Sequence, residues 1–130
     1  MATIFTRIIN GEIPCYKIYE DGNYFAFLDI NPLQKGHTLV IPKKEDDYIF
    51  NLDDATYSGL MMTAKKIAAA IKESTNCKRV GVTVLGMEVP HVHIHLVPMN
   101  SEKDMLFSNP KLKLTAEEFK EIAEKIQAEF

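Results

Sequence analysis

Apolar and polar residues alternate along two early stretches of the chain, and apolar residues recur every three or four positions along two later ones. The alternating stretches, CYKIYED and YFAFLDI, flank an Asp-Gly turn and predict a β-hairpin. The longer period predicts two amphipathic helices, over residues 53–74 and 115–126. The short segments HTLVIP, RVGVTVLG and HVHIHLVP are typical of further strands. This order favours an α+β fold with a mainly antiparallel sheet of about five strands, one long central helix and a C-terminal helix.

Residues that cap helices support these boundaries. The opening stretch TIFTRIINGEIP predicts a short helical turn that ends at its Asn-Gly pair. Asp53 or Asp54 is the expected N-cap of the long helix. Thr115 and Glu118 have the spacing of a capping box, which places the start of the last helix.

The segment PHVHIHLVP carries three of the four histidines at alternate positions, His91, His93 and His95. Because side chains alternate across a strand, we expect the three imidazoles to share one face and to line a cleft or meet solvent. The apolar residues between and after them are expected to point into the core, and these are Val92, Ile94 and Leu96.

This pattern has three interpretations. The first is an ordinary sheet that exposes polar side chains. The second is a metal site, which would need a further ligand such as His37 or a carboxylate, because His91 and His95 are about 13 Å apart along a strand. The third is a nucleophilic imidazole with helper groups on either side, suited to a phosphate ester or anhydride.

Composition narrows the class of protein. The chain has 130 residues, 46% hydrophobic and 25% charged, which suits one globular domain. Its net charge is -3, and without a basic stripe we expect no nucleic-acid partner. Two cysteines without CxxC spacing and no signal-like or membrane-length apolar segment favour a cytoplasmic protein without a membrane partner.

The stretch HVHIHLV matches the pattern His-φ-His-φ-His-φ-φ, where φ is apolar, and so resembles the histidine triad (HIT) family of nucleotide hydrolases and transferases. The stretch TIFTRIINGEIPCYKIYEDGNYFAFLDINPLQKGHTLVIPKK is similar to the N-terminal half of a HINT-type member. Residues 3–98 carry the resemblance, and residues 99–130 are a loop and the C-terminal helix. It implies a single HIT domain over residues 1–130, a HIT-like fold, no cofactor, and a homodimer joined through the long helix and a neighbouring strand.

The resemblance also implies roles for the four histidines. His93, the central member, would attack the α-phosphorus of a nucleotide and form a nucleotidyl-imidazole intermediate that water hydrolyses. His95 and His37 would lie at the phosphate, and His91 would orient its neighbours. A neutral imidazole is a competent nucleophile when one ring nitrogen is held by an acceptor.

The nucleotide-binding positions follow from the same resemblance. Asp29 matches the acidic residue that holds the ribose hydroxyls, and the loop residues Gly86 and Glu88 match positions near phosphate or the leaving group. Four apolar residues match positions around a purine base, namely Phe5, Ile8, Phe27 and Ile30.

Several residues depart from the family pattern. Met87 and Glu88 stand where Gln and Ser or Thr are usual, and Thr83 is the nearest polar substitute for a usual Asn. Thr3 and Thr6 stand where some bacterial relatives have a zinc-binding CxxC, so we expect no metal. The long connection over residues 100–114 is either a surface link or, through Met105 to Phe107, a cover for the site or the dimer partner.

These observations favour a nucleotide hydrolase that cleaves a P–X bond at the α-phosphate of a purine nucleotide, a phosphoramidate or an adenylate. Two alternatives stay open. One is a dinucleoside polyphosphate hydrolase, against which Met87 argues. The other is a nucleotide-binding regulatory protein with little turnover, for which Glu88 and the shortened loop argue.

Overall fold

The computed structural model of the protein describes residues 2–130, and within them it confirms the predicted α+β fold. Five strands form one antiparallel sheet, and three α-helices pack on it. In chain order the elements are α1 (Ile4–Ile9), β1 (Lys17–Glu20), β2 (Tyr24–Leu28), β3 (Thr38–Pro42), α2 (Asp54–Thr75), β4 (Arg79–Thr83), β5 (Ile94–Met99) and α3 (Ala116–Gln127). Short 3-10 turns occupy Ile49–Asn51 and Glu102–Met105. None of the helices in residues 2–130 has the length and apolar character that crossing a membrane requires.

The sheet has the strand order β1-β2-β3-β5-β4, so β5 lies between β3 and β4. Leu39 of β3 and Thr83 of β4 lie opposite His95 on either side. The last histidine of the triplet is therefore held in the interior of the sheet, by backbone pairing on both edges of its strand.

The helix caps follow the sequence. The Asp53 carboxylate accepts from the Thr56 N–H at the start of α2, and Thr115 and Glu118 form the predicted capping box of α3. Helix α2 is capped at its C-terminus by Asn76, which takes the left-handed conformation with φ of 57°.

Alternation along the strands divides the core into two apolar clusters on opposite faces of the sheet. The back cluster packs α2 and α3 against one face and includes Val92, Ile94 and Leu96, as predicted. The front cluster packs α1 against the other face and contains Phe5, Ile8, Phe25, Phe27, Leu39 and Ile41.

The predicted histidine strand is shorter than expected. Strand β5 begins at Ile94, so only His95 lies within it, and His91 and His93 belong to the segment that leads into it. The reason is local: the Val92 N–H donates to the Asp46 carbonyl at 2.7 Å, outside the sheet ladder, and the His91 N–H donates to the Val89 carbonyl at 2.8 Å.

Candidate active site

All four histidines are buried, so the expectation of a cleft holds for His93 and His95, which line a cavity, and is wrong for His91. The exposed fractions are 0% for His91, 1% for His37, and 7% for both His93 and His95. The difference arises because α1 and the neighbouring loops cover this face of the sheet. His93 and His95 still line a cavity, while His91 and His37 lie behind them.

The cavity has a volume of about 530 Å³, a size that suits a nucleotide-sized ligand. All seven residues predicted to bind the nucleotide line it: Phe5, Ile8, Phe27, Asp29, Ile30, Gly86 and Glu88. Phe5, Ile8 and Phe27 are also buried members of the front cluster, whereas Ile30 is 64% exposed. Gly86 has φ of 71°, a conformation that favours glycine and sets the turn of the loop at the cavity.

His93 is oriented by a backbone carbonyl. Its Nδ1 lies 2.7 Å from the carbonyl oxygen of His91. A carbonyl can only accept, so Nδ1 carries the proton, and in the neutral ring the lone pair is on Nε2. The ring of Phe5 packs edge-on against it, with ring centroids 5.1 Å apart. The central imidazole thus meets the requirement for a nucleophile, one nitrogen fixed and the other free to react.

His91 is held at both ring nitrogens. Nε2 donates to the Pro42 carbonyl at 2.8 Å, which leaves Nδ1 to accept from the Thr3 hydroxyl at 2.7 Å. Burial lowers the pKa of His91, so its ring is neutral at pH 7. This ring is a structural support, because both its nitrogens are already engaged and its backbone carbonyl orients His93.

Thr3 and Thr6, the positions that replace the CxxC of some relatives, extend this network to the surface. The Thr6 hydroxyl and the Thr3 N–H both donate to Oε1 of Glu45, at 2.5 and 2.8 Å. The chain of hydrogen bonds therefore runs from a surface carboxylate through α1 to His91.

A second chain fixes the protons of His37 and His95. The backbone N–H of Leu33 donates to Nδ1 of His37 at 3.0 Å, so His37 carries its proton on Nε2. That proton is donated to Nδ1 of His95, 3.0 Å away, and His95 must then carry its own proton on Nε2. Burial is the main cause that lowers the pKa of His37 to about 3 and of His95 to about 4. Both rings are neutral at pH 7, and His95 presents an N–H donor.

Asp29 lies at the end of β2 beside this pair. One carboxylate oxygen accepts from the Asn31 N–H at 2.8 Å, and the other lies 3.6 Å from Nε2 of His37. Burial raises the pKa of Asp29, although the Asn31 hydrogen bond opposes the rise. The side chain keeps acceptor capacity that faces the cavity.

Within residues 2–130, Asp29, His37 and His95 have ligand atoms within 4.8 Å of one another, close enough for a metal ion to be considered. The tautomers count against it. A metal would need the Nε2 lone pair of His37, but the Leu33 N–H already requires the Nδ1 lone pair, and a neutral imidazole has only one. Metal binding would cost that buried hydrogen bond, and a metal-free site stays our prediction.

Two residues of the 100–114 connection reach the cavity, and the sequence did not single out the second. The Phe107 ring packs edge-on against His95, with centroids 4.9 Å apart, and Lys111 lines the cavity. Met105 instead packs over Gly81 of β4. Neither Lys111 nor the Leu33 backbone carried a signal in the sequence, because only the fold brings them to the histidines.

Comparison with known proteins places this geometry in a family. The model of the HIT domain matches residues 10–102. Adenosine 5'-monophosphoramidase hnt1 of Schizosaccharomyces pombe is 35% identical over 130 residues, covering 98% of each chain. Adenylylsulfatase HINT3 of Arabidopsis thaliana is 32% identical over 85% of this chain and 58% of its own length.

A solved structure of the same family has the same fold. The crystal structure of a Hit-like protein from Bartonella henselae superposes with a TM-score of 0.84 at 32% identity, covering 98% of this chain and 96% of that one. The three buried alternating histidines, the cavity that His93 and His95 line and the match over most of the chain lead to one conclusion: this protein belongs to the histidine triad family.

Proposed function

We propose that the protein is a nucleotide hydrolase of the histidine triad type, which cleaves a P–X bond at the α-phosphate of a purine nucleotide. The observation that carries the proposal is the bond from His93 Nδ1 to the His91 carbonyl at 2.7 Å, in a ring that lines the cavity. It leaves the Nε2 lone pair of His93 as the reactive position. The names of the phosphoramidase and adenylylsulfatase relatives point to nucleotides of the adenylate class as substrates.

The first step is attack by the Nε2 lone pair of His93 on the α-phosphorus. The N–P bond forms as the P–X bond breaks, and the leaving group departs with the electron pair and takes up a proton from solvent. His95 donates its Nε2–H to a phosphoryl oxygen, where negative charge develops.

In the second step water attacks the phosphorus of the nucleotidyl-His93 intermediate. The N–P electron pair returns to Nε2, and the water releases the proton that balances the one taken up by the leaving group. The net reaction adds one water across the P–X bond and needs no cofactor.

The rest of the cavity suits the nucleoside. Asp29 offers a carboxylate oxygen to the ribose hydroxyls, since an ionised carboxylate only accepts. The front-cluster residues Phe5, Ile8 and Phe27 form an apolar wall for the purine, with Ile30 at the exposed side. Gly86 and Glu88 lie on a loop that lines the cavity.

The direct test is to incubate the protein with adenosine 5'-phosphoramidate and follow AMP release. Wild type should release AMP, and His93→Ala should lose the activity. Retention of configuration at a chiral phosphorus would support the covalent intermediate, since two displacements each invert it. Full activity of His93→Ala would end the proposal.

A regulatory nucleotide-binding protein is the second candidate, and Glu88 is the observation that favours it. A carboxylate lining the cavity repels a phosphate and weakens catalysis. Tight AMP binding without turnover of phosphoramidates, adenylates or dinucleoside polyphosphates would support this candidate. Faster cleavage of dinucleoside polyphosphates than of phosphoramidates would instead support the remaining alternative, a dinucleoside polyphosphate hydrolase.

A homodimer through β4 and α2 is part of the proposal. Strand β4 is an edge of the sheet, and Val82 on it and Met62 on α2 are 53% and 62% exposed. The opposite edge is partly closed, because Gln127 of α3 donates to the Lys17 carbonyl of β1 at 2.6 Å. An open edge beside exposed apolar side chains favours pairing with a second copy.

A further inference from the structure

Apart from Lys111, the charged side chains that line the cavity are carboxylates, which repel a phosphate. Asp29 and Glu88 contribute carboxylates to the lining. His95 is neutral at pH 7, since burial lowers its pKa to about 4. Among the cavity-lining residues of the described range 2–130, Lys111 is the only lysine or arginine. An anionic ligand therefore depends on Lys111 for full positive charge in the lining.

The Lys111 ammonium is held in place by its own loop. Nζ donates to the carbonyl oxygens of Phe107 and Asn109, at 2.5 and 3.2 Å. An ammonium has three N–H donors, so one is left for a ligand. The next residue ties the segment to the loop between β2 and β3, because the Leu112 N–H donates to the Pro32 carbonyl at 2.9 Å.

The field of this ammonium reaches the groups that would bind the nucleotide. Burial raises the pKa of Asp29, and the positive charge of Lys111 opposes that rise. Burial lowers the pKa of His37 to about 3, with smaller contributions from His95 and then from Lys111. Lys111 lines the same cavity as the carboxylate proposed for the ribose and the histidines proposed for the phosphate, and its charge acts on Asp29 and His37.

We propose that Lys111 binds the phosphate of the nucleotide and makes the site selective for nucleotides over nucleosides. This inference rests on the proposed function and adds a specificity-determining residue to it. The 100–114 connection supplies this cation, together with the Phe107 ring that covers His95. The favoured ligands are nucleoside 5'-monophosphates and their α-phosphate derivatives, which place one anionic group between Asp29 and the histidines.

The experiment compares binding of AMP and of adenosine by titration calorimetry. Lys111→Met keeps most of the side-chain length and removes the charge, and Lys111→Arg keeps the charge. Lys113→Met is the matched control, because Lys113 is an exposed lysine two residues along the same loop. Adenosine carries the same base and ribose but no phosphate.

Lys111→Met should raise the Kd of AMP about tenfold, as expected for one charge-assisted hydrogen bond, and leave the Kd of adenosine unchanged. Lys111→Arg should recover most of the AMP affinity, and Lys113→Met should behave as wild type. The AMP affinity of wild type should also fall with added salt more steeply than that of Lys111→Met.

Three results would overturn the inference. An unchanged AMP Kd in Lys111→Met would remove the phosphate contact, and equal weakening of AMP and adenosine would show that Lys111 only supports the loop. A similar loss in Lys113→Met would reduce the effect to general surface charge. If wild type cleaves phosphoramidate but Lys111→Met binds AMP normally, only this inference fails. If wild type neither binds nor cleaves adenine nucleotides, the proposed function fails and this inference with it.

Discussion

Replacing Thr3 by valine tests whether a hydrogen bond from outside the cavity holds His91, the residue whose carbonyl orients His93. The Thr3 hydroxyl makes three half-buried contacts. It donates to Nδ1 of His91 at 2.7 Å, accepts from the Thr6 N–H at 3.1 Å as the N-cap of α1, and lies 3.3 Å from the Thr6 hydroxyl, whose own proton goes to Glu45. Valine has the same shape but neither donor nor acceptor. The substitution therefore removes both hydrogen bonds and leaves the packing of the position nearly unchanged.

The expected cost is the sum of two losses. His91 is fully buried, so its Nδ1 becomes an unsatisfied acceptor, which costs about 1–3 kcal/mol. Loss of an N-cap side chain costs about 1 kcal/mol. Thr3→Val should lower the free energy of unfolding by about 2–4 kcal/mol, a large share of the stability of a small domain.

Urea denaturation of wild type, Thr3→Val and Thr3→Ser would measure this. Serine keeps the hydroxyl and loses one methyl group, so Thr3→Ser should cost less than about 1 kcal/mol. Nitrogen-15 spectra should report the protonated Nε2 of His91 in wild type and a change at Nδ1 in the valine variant. Equal stability of the serine and valine variants would refute the hydrogen-bond reasoning.

Three further outcomes are expected. Lowering the pH from 7 to 5 should decrease the free energy of unfolding in urea titrations. In the folded protein the pKa values of His37 and His95 are about 3 and about 4, below the ordinary histidine pKa of about 6.5. The unfolded chain therefore binds more protons than the folded one as the pH falls. This stability is fully present above pH 6.5 and is lost as the pH falls, at up to about 1.4 kcal/mol per pH unit for each histidine. Gly59→Ala should lower the melting temperature despite the better helix propensity of alanine, because the added Cβ would lie 1.9 Å from the Tyr24 hydroxyl, at a cost of about 1–3 kcal/mol. Val82→Lys should convert a dimer to a monomer in light scattering, since it places a charge on the open edge of the sheet.

Each of these has a control. Stability that stays flat from pH 7 to pH 5 would contradict the assignment of two buried neutral rings. Gly22→Ala should be nearly neutral, because the space around Gly22 is open, and an equal loss there would point to a general effect of removing glycine. A wild-type chain that is already a monomer would end the dimer proposal.

The period of the apolar residues was enough to predict the architecture. The hairpin, the long helix and the capping box at Thr115 and Glu118 follow from local rules, and the structure contains all of them. The same local rules extended the histidine strand too far. They could not include the Asp46 carbonyl, a partner far along the chain that takes the Val92 N–H out of the ladder and delays β5 until Ile94.

The site was predicted residue by residue only where the family resemblance reached. All seven positions proposed around the nucleotide line one cavity. The groups that set the protons were not predicted, because they are backbone atoms or distant side chains: the carbonyl of His91, the N–H of Leu33 and the hydroxyl of Thr3. Burial of the imidazoles could not be predicted from the sequence either, because it depends on how α1 packs over the sheet.

The two apolar clusters on opposite faces of the sheet have a consequence for how such a protein changes over time. The back cluster holds α2 and α3 and contains most of the buried apolar side chains, whereas the front cluster forms the wall proposed for the base. We therefore expect replacements such as Ile8→Val or Phe27→Leu to alter ligand preference while the larger cluster keeps the chain folded. Ligand selectivity can change through substitutions on one face of this sheet because the other face provides most of the stability of the fold.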